Sequence, residues 1–230
     1  MGLHPSSEIR HPLTRHRLAV ATMTRMSAQI PQYPLFLDID LEAVQRLRNT
    51  KHERPSIADI MAVAAARLLR SYPNVNSSFA DDAVIEYREI HVGLALDLPG
   101  GLIVLVVRDA DRRSVADFRS ERNRLQAAAA DGGLRAQDIA GATFVISNLG
   151  PMGIHAFQAM LVPPAAAILA VGAIREVARA KDGVLAASSG LTLCLTSDHR
   201  VIDGAEAARF LRGLGDILEG DESLSALFAS

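Results

Sequence analysis

The sequence predicts an α/β fold, a two-layer sandwich in which a mixed β-sheet is covered on one side by helices. Patterns typical of strands and of helices alternate along the whole chain, without an internal repeat, a low-complexity block or a long polar linker. Of the 230 residues, 49% are hydrophobic and 22% are charged, the balance of a globular protein with a sizeable core. We therefore expect a single domain over residues 14–230, preceded by a flexible N-terminal arm over residues 1–13.

Five helices are predicted from apolar residues that recur at helical spacing. Ser56 is a candidate N-cap because Asp59 follows it at the spacing of a capping box. Ser114 and Asp117 have the same spacing, and Pro73 ends the helix that Ser56 begins. The predicted helices cover residues 14–30, 42–49, 57–72, 115–130 and 205–218.

Eight strands are predicted from alternating patterns or from short apolar runs that end at turn residues. The sequence Pro-Gly-Gly at residues 99–101 separates two of them and predicts a tight hairpin, because glycine supplies the positive φ that such turns need. The predicted strands cover residues 35–41, 84–87, 90–98, 102–107, 143–147, 166–171, 174–180 and 191–196.

Charge and hydropathy exclude several classes of protein. The net charge of −2 supplies no strong basic field for nucleic acid or anionic lipid. Residues 1–17 lack the apolar core of a signal peptide, and the longest apolar stretch, 160–174, is too short to span a membrane. The single cysteine, Cys194, cannot form an intrachain disulfide. We expect a cytoplasmic protein that binds neither nucleic acid nor membrane.

Neither metal-ligand spacing nor a nucleotide loop is present in the sequence. The seven histidines are scattered and form no His-x-His or His-Glu-x-x-His pair, which predicts that no metal is bound. The glycines of residues 150–153 are too close together for a dinucleotide or phosphate loop. Cys194 lies inside an apolar strand, so we expect a structural core thiol rather than a nucleophile.

The strongest candidate for chemistry is the motif Asp-His-Arg-Val-Ile-Asp-Gly at residues 198–204. His199 lies where a predicted strand ends, and Asp203 follows it by four positions, before a predicted helix. A histidine near a carboxylate can be oriented and used as a general base. The alternative is an ordinary strand-to-helix junction in which Asp203 caps the helix, and the His-x-x-x-Asp spacing alone favours that alternative.

Ser147 is the second candidate, because it ends a predicted strand just before a glycine-bearing loop. Its hydroxyl could donate a hydrogen bond into a cleft, although an isolated serine at such a place more often caps a turn. His155 lies on the same loop, and we expect it to be a loop residue without a catalytic role.

Five segments of the chain, in this order, resemble the catalytic domain of dihydrolipoamide acyltransferases, the core components of 2-oxo acid dehydrogenase complexes. The resemblance extends over nearly the whole chain and implies a fold like that of chloramphenicol acetyltransferase. The segments are residues 93–104, 107–111, 143–150 (Thr-Phe-Val-Ile-Ser-Asn-Leu-Gly), 163–172 and the motif at 198–204.

The resemblance implies a role for each candidate residue. His199 would be the general base, Asp203 its companion, and Ser147 the donor to the oxyanion. An acyl group would move between coenzyme A and a dihydrolipoyl thiol, with acyl-CoA as substrate, the lipoyl group supplied in trans and no metal. The resemblance also implies a homotrimer in which Ser147 and His199 of neighbouring subunits meet, so that one subunit alone should not bring them together. Expected partners are the dehydrogenase and dihydrolipoamide dehydrogenase components.

The sequence departs from the family in ways that leave the acceptor open. Neither a lipoylation motif Asp-Lys-Ala nor a Pro/Ala-rich linker is present, so we expect either an excised catalytic domain or a stand-alone enzyme. Leu105 replaces a proline of the family, and Gly-Gly-Leu at 132–134 replaces Gly-Lys-Leu. The alternatives are a stand-alone CoA-dependent acyltransferase with another acceptor, or a catalytically retired assembly scaffold.

The C-terminal tail carries large apolar residues in a short, otherwise polar segment, namely Leu224, Leu227 and Phe228. Leu227 and Phe228 should either fold back on their own subunit or enter a pocket of another trimer. The resembling family favours the second, which would assemble trimers into a larger cage.

Overall fold

The computed structural model describes residues 9–51, 54–98, 101–181 and 183–229. Within these residues the strands are β1 (Gln32–Asp40), β2 (Ser77–Ala80), β3 (Ala83–Glu86), β4 (Val92–Leu98), β5 (Gly101–Val107), β6 (Phe144–Asn148), β7 (Ala167–Val171), β8 (Arg175–Lys181) and β9 (Val184–Asp198). The α-helices of the same residues are α1 (Arg15–Ala28), α2 (Glu42–Asn49), α3 (Ile57–Leu69), α4 (Val115–Ala130), α5 (Ala136–Ile139), α6 (Gly204–Glu219) and α7 (Asp221–Ala226).

The central sheet is mixed, as predicted. Its strands follow the order β1-β9-β7-β6-β4-β5, and β8 pairs with the first half of β9. Strands β4, β6 and β7 run parallel to one another, whereas β1, β5 and β8 pair antiparallel with their neighbours. Strands β2 and β3 form a separate hairpin. The long strand β9 therefore lies between β1 and β7. The motif 198–204 begins at its C-terminal end.

One face of the sheet, the helical face, is covered by α2, α3, α4 and α6 and encloses the larger core. Phe144 of β6 and Phe210 of α6 are fully buried there, with ring centroids 5.9 Å apart. Residues 62–66 of α3 are wholly buried alanines and a valine, small enough to let this helix pack closely. This face matches the helix-covered layer that the sequence predicts.

The second face of the sheet is covered differently from the prediction. Helix α1 lies on this face, so helices are found on both sides of the sheet and not on one. It borders the cavities of this face, beside a smaller cluster that includes Val145, Ile168 and Cys194 and is covered by the segment 157–165. Leu18 and Met26 of α1 remain about half exposed. The sequence pattern of α1 showed a helix but could not show which face it covers.

Several element boundaries differ from the prediction for identifiable reasons. Strand β9 begins at Val184, seven residues before the predicted start, because the segment 184–190 pairs with β8. The segment has no alternating or continuously apolar pattern, since exposed Val184 and Leu185 are followed by alanines, serines and a glycine. Strand β2 and helices α5 and α7 are too short to give a pattern. The Pro99-Gly100 part of the hairpin turn and residues 1–8 of the proposed arm lie outside the described residues, although β4 and β5 do pair antiparallel.

The two predicted capping boxes differ from each other. Ser114 and Asp117 form the full reciprocal box at the start of α4. The Ser56 hydroxyl accepts a hydrogen bond from the Asp59 backbone N–H at 3.0 Å. The Asp59 carboxylate, however, binds the Arg122 guanidinium at 2.6 Å and does not complete a box. A tertiary contact has replaced the local one.

The C-terminal tail folds back on its own subunit. Leu224 and Leu227 are buried in the larger core, at 0% and 2% exposure. Arg67 donates to the Ala226 carbonyl at 2.6 Å, and the Val115 N–H donates to the Leu227 carbonyl at 3.2 Å. Leu227 therefore takes the first predicted alternative, whereas Phe228 is only half-buried, and its entry into a pocket of another trimer stays a prediction.

Candidate active site

The turn between β9 and α6 presents His199 on the surface. The His199 N–H donates to the Pro31 carbonyl at 2.8 Å, which ties the turn to the start of β1. The imidazole is exposed and lies against the Tyr33 ring, with centroids 4.5 Å apart and ring planes inclined by 48°. The histidine is therefore held on one side and open on the other, the arrangement that a general base needs.

Tyr33 is a site residue that the sequence did not predict. Its hydroxyl donates to the Ile202 carbonyl at 3.1 Å, so the ring that supports His199 is itself anchored to the turn. Burial raises the pKa of Tyr33, and the nearby charges of Asp203 and Glu206 act in the same direction, which keeps the phenol neutral. The pairing of Tyr33 with Ser197 across β1 and β9 brings it under the histidine, and no sequence signal indicates that pairing.

Asp203 is exposed and occupies the N-cap position of α6, with extended backbone angles of −79° and 151°. Its side chain does not accept a capping hydrogen bond. The predicted alternative of a helix cap is therefore right about the position of Asp203, but the side chain does not make the hydrogen bond of a cap. Among the described residues, no hydrogen bond joins Asp203 to His199, and its role as a companion of the base stays a prediction.

Two charged residues on either side of His199 form a bidentate pair. The Asp198 carboxylate accepts from the Arg200 Nη2 at 2.7 Å and from its Nε at 3.0 Å, and from the Arg200 backbone N–H at 2.9 Å. The Arg200 guanidinium lies 4.3 Å from the centre of the Phe79 ring. The sequence could have indicated this pair, since residues of opposite charge two positions apart in a turn can form an ion pair.

Ser147 lies on the second face of the sheet. It is half-buried near the end of β6, where it borders a cavity of about 200 Å³. Its walls come from α1, from β4 to β7 and from the segment 157–162. The side chains that line it are apolar except for those of Ser147 and Thr24. The loop that follows contains His155, whose Nε2 lies 3.1 Å from the Arg175 Nη2, in keeping with an ordinary loop residue.

The structure does not bring Ser147 and His199 together within one subunit. Ser147 pairs with Ala170 of β7, and Ala170 pairs with Cys194 of β9, five residues before His199. Two strand spacings and five residue rises separate the two positions by roughly 19 Å. A donor must lie about 3 Å from an oxyanion to stabilise it. The expectation for a single subunit is thus met.

Cys194 has the environment that the sequence predicts for a core thiol. Cys194 is buried, and burial raises the pKa of its thiol to about 11, which suits an inert core residue. In the described part of the chain, no group of three or more histidine, cysteine, aspartate or glutamate side chains could hold a metal ion. Over the same part, no helix is long and apolar enough to cross a bilayer.

Comparison with known proteins identifies the family. The sequence profile of the 2-oxoacid dehydrogenases acyltransferase (catalytic domain) family matches residues 5–226. The chain belongs to this family. Component 3 of the mitochondrial pyruvate dehydrogenase complex of Arabidopsis thaliana, a dihydrolipoyllysine-residue acetyltransferase, is 35% identical over 231 residues. That match covers 96% of this chain but 42% of the relative, so the acyltransferase chain spans less than half of that relative's length.

Solved structures confirm the predicted fold class. The dihydrolipoamide acetyltransferase of Azotobacter vinelandii superimposes with a TM-score of 0.89 at 31% identity, covering 98% of this chain and 100% of that one. The cubic core of a pyruvate dehydrogenase multienzyme complex gives 0.89 at 31% identity, over 98% and 99%. Chloramphenicol acetyltransferase, with a TM-score of 0.54 at 18% identity over 83% and 86%, shares the fold.

Proposed function

We propose that this acyltransferase moves an acyl group between coenzyme A and a dihydrolipoyl thiol, with His199 as the general base. The observation that carries the proposal is the exposed His199 imidazole held against Tyr33 at the end of β9. The study of the Azotobacter vinelandii enzyme concerns a serine, a histidine and an asparagine in its catalytic mechanism. In that enzyme the serine precedes the histidine by 52 positions and the asparagine follows it by four, the intervals that separate Ser147, His199 and Asp203.

The chemistry follows from the properties of a thiol. A thiol is mostly protonated at neutral pH and is then a weak nucleophile. The His199 imidazole takes the proton as the sulfur attacks the thioester carbonyl, so that a new C–S bond forms and the carbonyl oxygen becomes an oxyanion. The tetrahedral intermediate collapses by breaking the original C–S bond, and the imidazolium returns the proton to the departing sulfur. Both thiols belong to the substrates, and the buried Cys194 takes no part.

Ser147 would donate a hydrogen bond to the oxyanion, and it would come from a neighbouring subunit. The separation of roughly 19 Å within one subunit supports this assignment, because it is too long for a direct contact. A cyclic trimer repeats one interface three times, so it would form three equal sites, each with a histidine and a serine from different subunits.

The proposed assembly is a homotrimer. The tail that could join trimers into a cage is buried in its own subunit through Leu224 and Leu227. We propose a cytoplasmic enzyme whose lipoyl group arrives in trans and whose partners are the dehydrogenase and dihydrolipoamide dehydrogenase components. The related cubic core supports such partners, since it belongs to a multienzyme complex.

An assay of acyl transfer from a panel of acyl-CoA thioesters to free dihydrolipoamide tests the reaction. We expect saturable transfer, with acetyl-CoA among the substrates. Transfer to other thiols, amines or alcohols, with none to dihydrolipoamide, would favour a stand-alone enzyme with another acceptor. No transfer to any acceptor by a correctly assembled protein would favour the scaffold alternative.

Mixed trimers test the shared site. Ser147→Ala and His199→Ala subunits should each be almost inactive alone. When the two are unfolded together and refolded at equal amounts, random assembly gives an intact serine and histidine at about one quarter of the sites. Recovery of about a quarter of the wild-type activity is therefore expected. If the mixture stayed as inactive as its components, the two residues would not act from different subunits.

A further inference from the structure

We propose that Asp198 and Arg200 are positioning residues that hold the His199 imidazole in its working orientation, an inference that rests on the proposed function. Neither side chain reaches the reacting atoms in this proposal. Together they fix the peptide that lies between them, which is the peptide that carries His199.

The Asp198 carboxylate is buried, and among the described residues all its hydrogen bonds come from Arg200. Its side chain is 3% exposed, and its oxygens accept three kinds of hydrogen bond, all from Arg200: from Nη2, from Nε and from the backbone N–H. The backbone of Asp198 is fixed as well, because its N–H donates to the Ala166 carbonyl at 2.8 Å and its carbonyl accepts from the Ile202 N–H at 2.9 Å. The residue just before β7 and the turn itself therefore hold Asp198 in place.

Arg200 connects Asp198 to the β2–β3 hairpin. Its side chain is 34% exposed, and the guanidinium stacks on Phe79 of the β2–β3 hairpin at 4.3 Å. A planar guanidinium can bridge both oxygens of a carboxylate and stack on a ring at the same time, which a lysine cannot do. The hairpin is tied in turn to the site, because the Ala166 N–H donates to the Ser77 carbonyl at 2.9 Å.

These contacts restrain the backbone of His199, whereas Tyr33 contacts its side chain. Tyr33 supports the face of the imidazole, whereas the Asp198–Arg200 pair and the bond from the His199 N–H to Pro31 fix its backbone. Loss of the pair would allow the turn to move and the ring to leave its position over Tyr33. Misplacement of a reacting group by about 1 Å can cost up to 10²-fold in rate.

The chain contains a matched control for this pair. Arg122 binds the fully buried Asp59 through the same fork, with Nε at 2.6 Å and Nη2 at 3.1 Å. This pair joins α3 to α4 and makes no contact with the turn that carries His199. Arg122→Gln should therefore lower stability at least as much as Arg200→Gln without reaching the base.

The test compares Arg200→Gln, Arg200→Lys and Arg122→Gln in the assembled enzyme, using acetyl-CoA and dihydrolipoamide. Arg200→Gln is expected to lower kcat roughly 10- to 100-fold with both KM values unchanged. Arg200→Lys should recover part of kcat, because it keeps one ionic contact with Asp198. Arg122→Gln should leave kcat unchanged.

A second readout does not depend on turnover. In histidine-labelled protein, the His199 ring resonances, assigned by their loss in His199→Ala, report its placement over the Tyr33 ring. They should shift in Arg200→Gln and stay constant in Arg122→Gln. If kcat and the His199 resonances of the Arg200 variants matched those of Arg122→Gln, the pair would be structural only and the inference would be wrong.

Three other outcomes also bear on the inference. A raised KM with unchanged kcat in Arg200→Gln would make Arg200 a substrate-binding residue and overturn the inference. If Arg200→Gln failed to assemble, Arg200→Lys would be judged by the same two readouts. Normal turnover in His199→Ala would refute the proposed function, whereas the resonance shift would still measure whether Arg200 positions the ring.

Discussion

The two faces of the central sheet differ in how completely one subunit covers them. The helical face encloses the larger core, and even the C-terminal tail contributes Leu224 and Leu227 to it. The second face has a small cluster, a cavity beside Ser147 and half-exposed apolar residues such as Met26 and Met160. One subunit therefore buries far more apolar side chains on the helical face than on the second face.

The two candidate catalytic residues lie on different faces of the sheet. Tyr33, which supports His199, packs against the larger core, so the proposed base belongs to the rigid face. Ser147 lies on the second face, which one subunit covers less completely. A core that holds the proposed base, combined with a less completely covered face that holds the proposed oxyanion donor, would suit the proposed site between two subunits. The four predictions below test this division and run from the largest expected effect on turnover to the smallest.

Removal of the base should have the largest effect. His199→Ala is expected to lower turnover by about 10³-fold or more, because the variant has no group to take the thiol proton. The fold and the trimer should persist, since the side chain is exposed. Turnover is measured with acetyl-CoA and dihydrolipoamide, and assembly by light scattering. Near wild-type turnover in a folded variant would contradict the mechanism.

Removal of the oxyanion donor should have the next largest effect. Ser147→Ala is expected to lower kcat about 10²-fold with little change in KM, because the hydrogen bond is made mainly in the transition state. Steady-state kinetics separates the two parameters. Thr24→Ser, at another polar position bordering the same cavity, is the control and should leave kcat unchanged. A change confined to KM in Ser147→Ala would make the serine a binding or turn residue.

Lowering the pH should separate loss of activity from loss of the fold. Activity should fall as the pH is lowered, because a protonated imidazole cannot accept a proton. The fold should persist further. Hydrogen bonds from the Arg135 side chain and backbone hold the pKa of Asp138 well below its usual range, and the Ser114 hydroxyl lowers the pKa of Asp117.

A carboxyl group with a depressed pKa in the folded state stabilises the fold above its ordinary pKa of about 4 and loses that contribution as the pH falls below it. Rates and circular dichroism from pH 8 to pH 3 should therefore show activity lost first and structure lost later. A flat rate profile between pH 5 and pH 8 would argue against a histidine base.

Weakening the tail should have the smallest effect on turnover. Leu227→Ala removes a side chain that is 2% exposed and should lower the free energy of unfolding by about 2–5 kcal/mol. Because the tail lies on the helical face, kcat and the size of the assembly should not change. Denaturant unfolding and light scattering measure the two quantities. A change from a larger assembly to trimers, in this variant or after truncation at Gly220, would instead make the tail an anchor between trimers.

Local patterns in the sequence were enough to predict most of the secondary structure. Helix α2 has the predicted boundaries, and α4 begins with the predicted reciprocal box of Ser114 and Asp117. These features depend on contacts between residues three or four positions apart, which a sequence displays directly. The motif at 198–204 likewise placed His199 at a strand end, because the apolar run before it and the helix after it are both local patterns.

Tertiary structure alone decided which face each element covers and what each side chain meets. The sequence could not show that α1 lies opposite the other helices, that Asp59 binds Arg122 instead of closing its own box, or that Tyr33 lies under His199. The fold-back of the tail and the roughly 19 Å between Ser147 and His199 follow from strand register and packing. These contacts join residues far apart in the chain, and many alternative pairings satisfy the same local patterns.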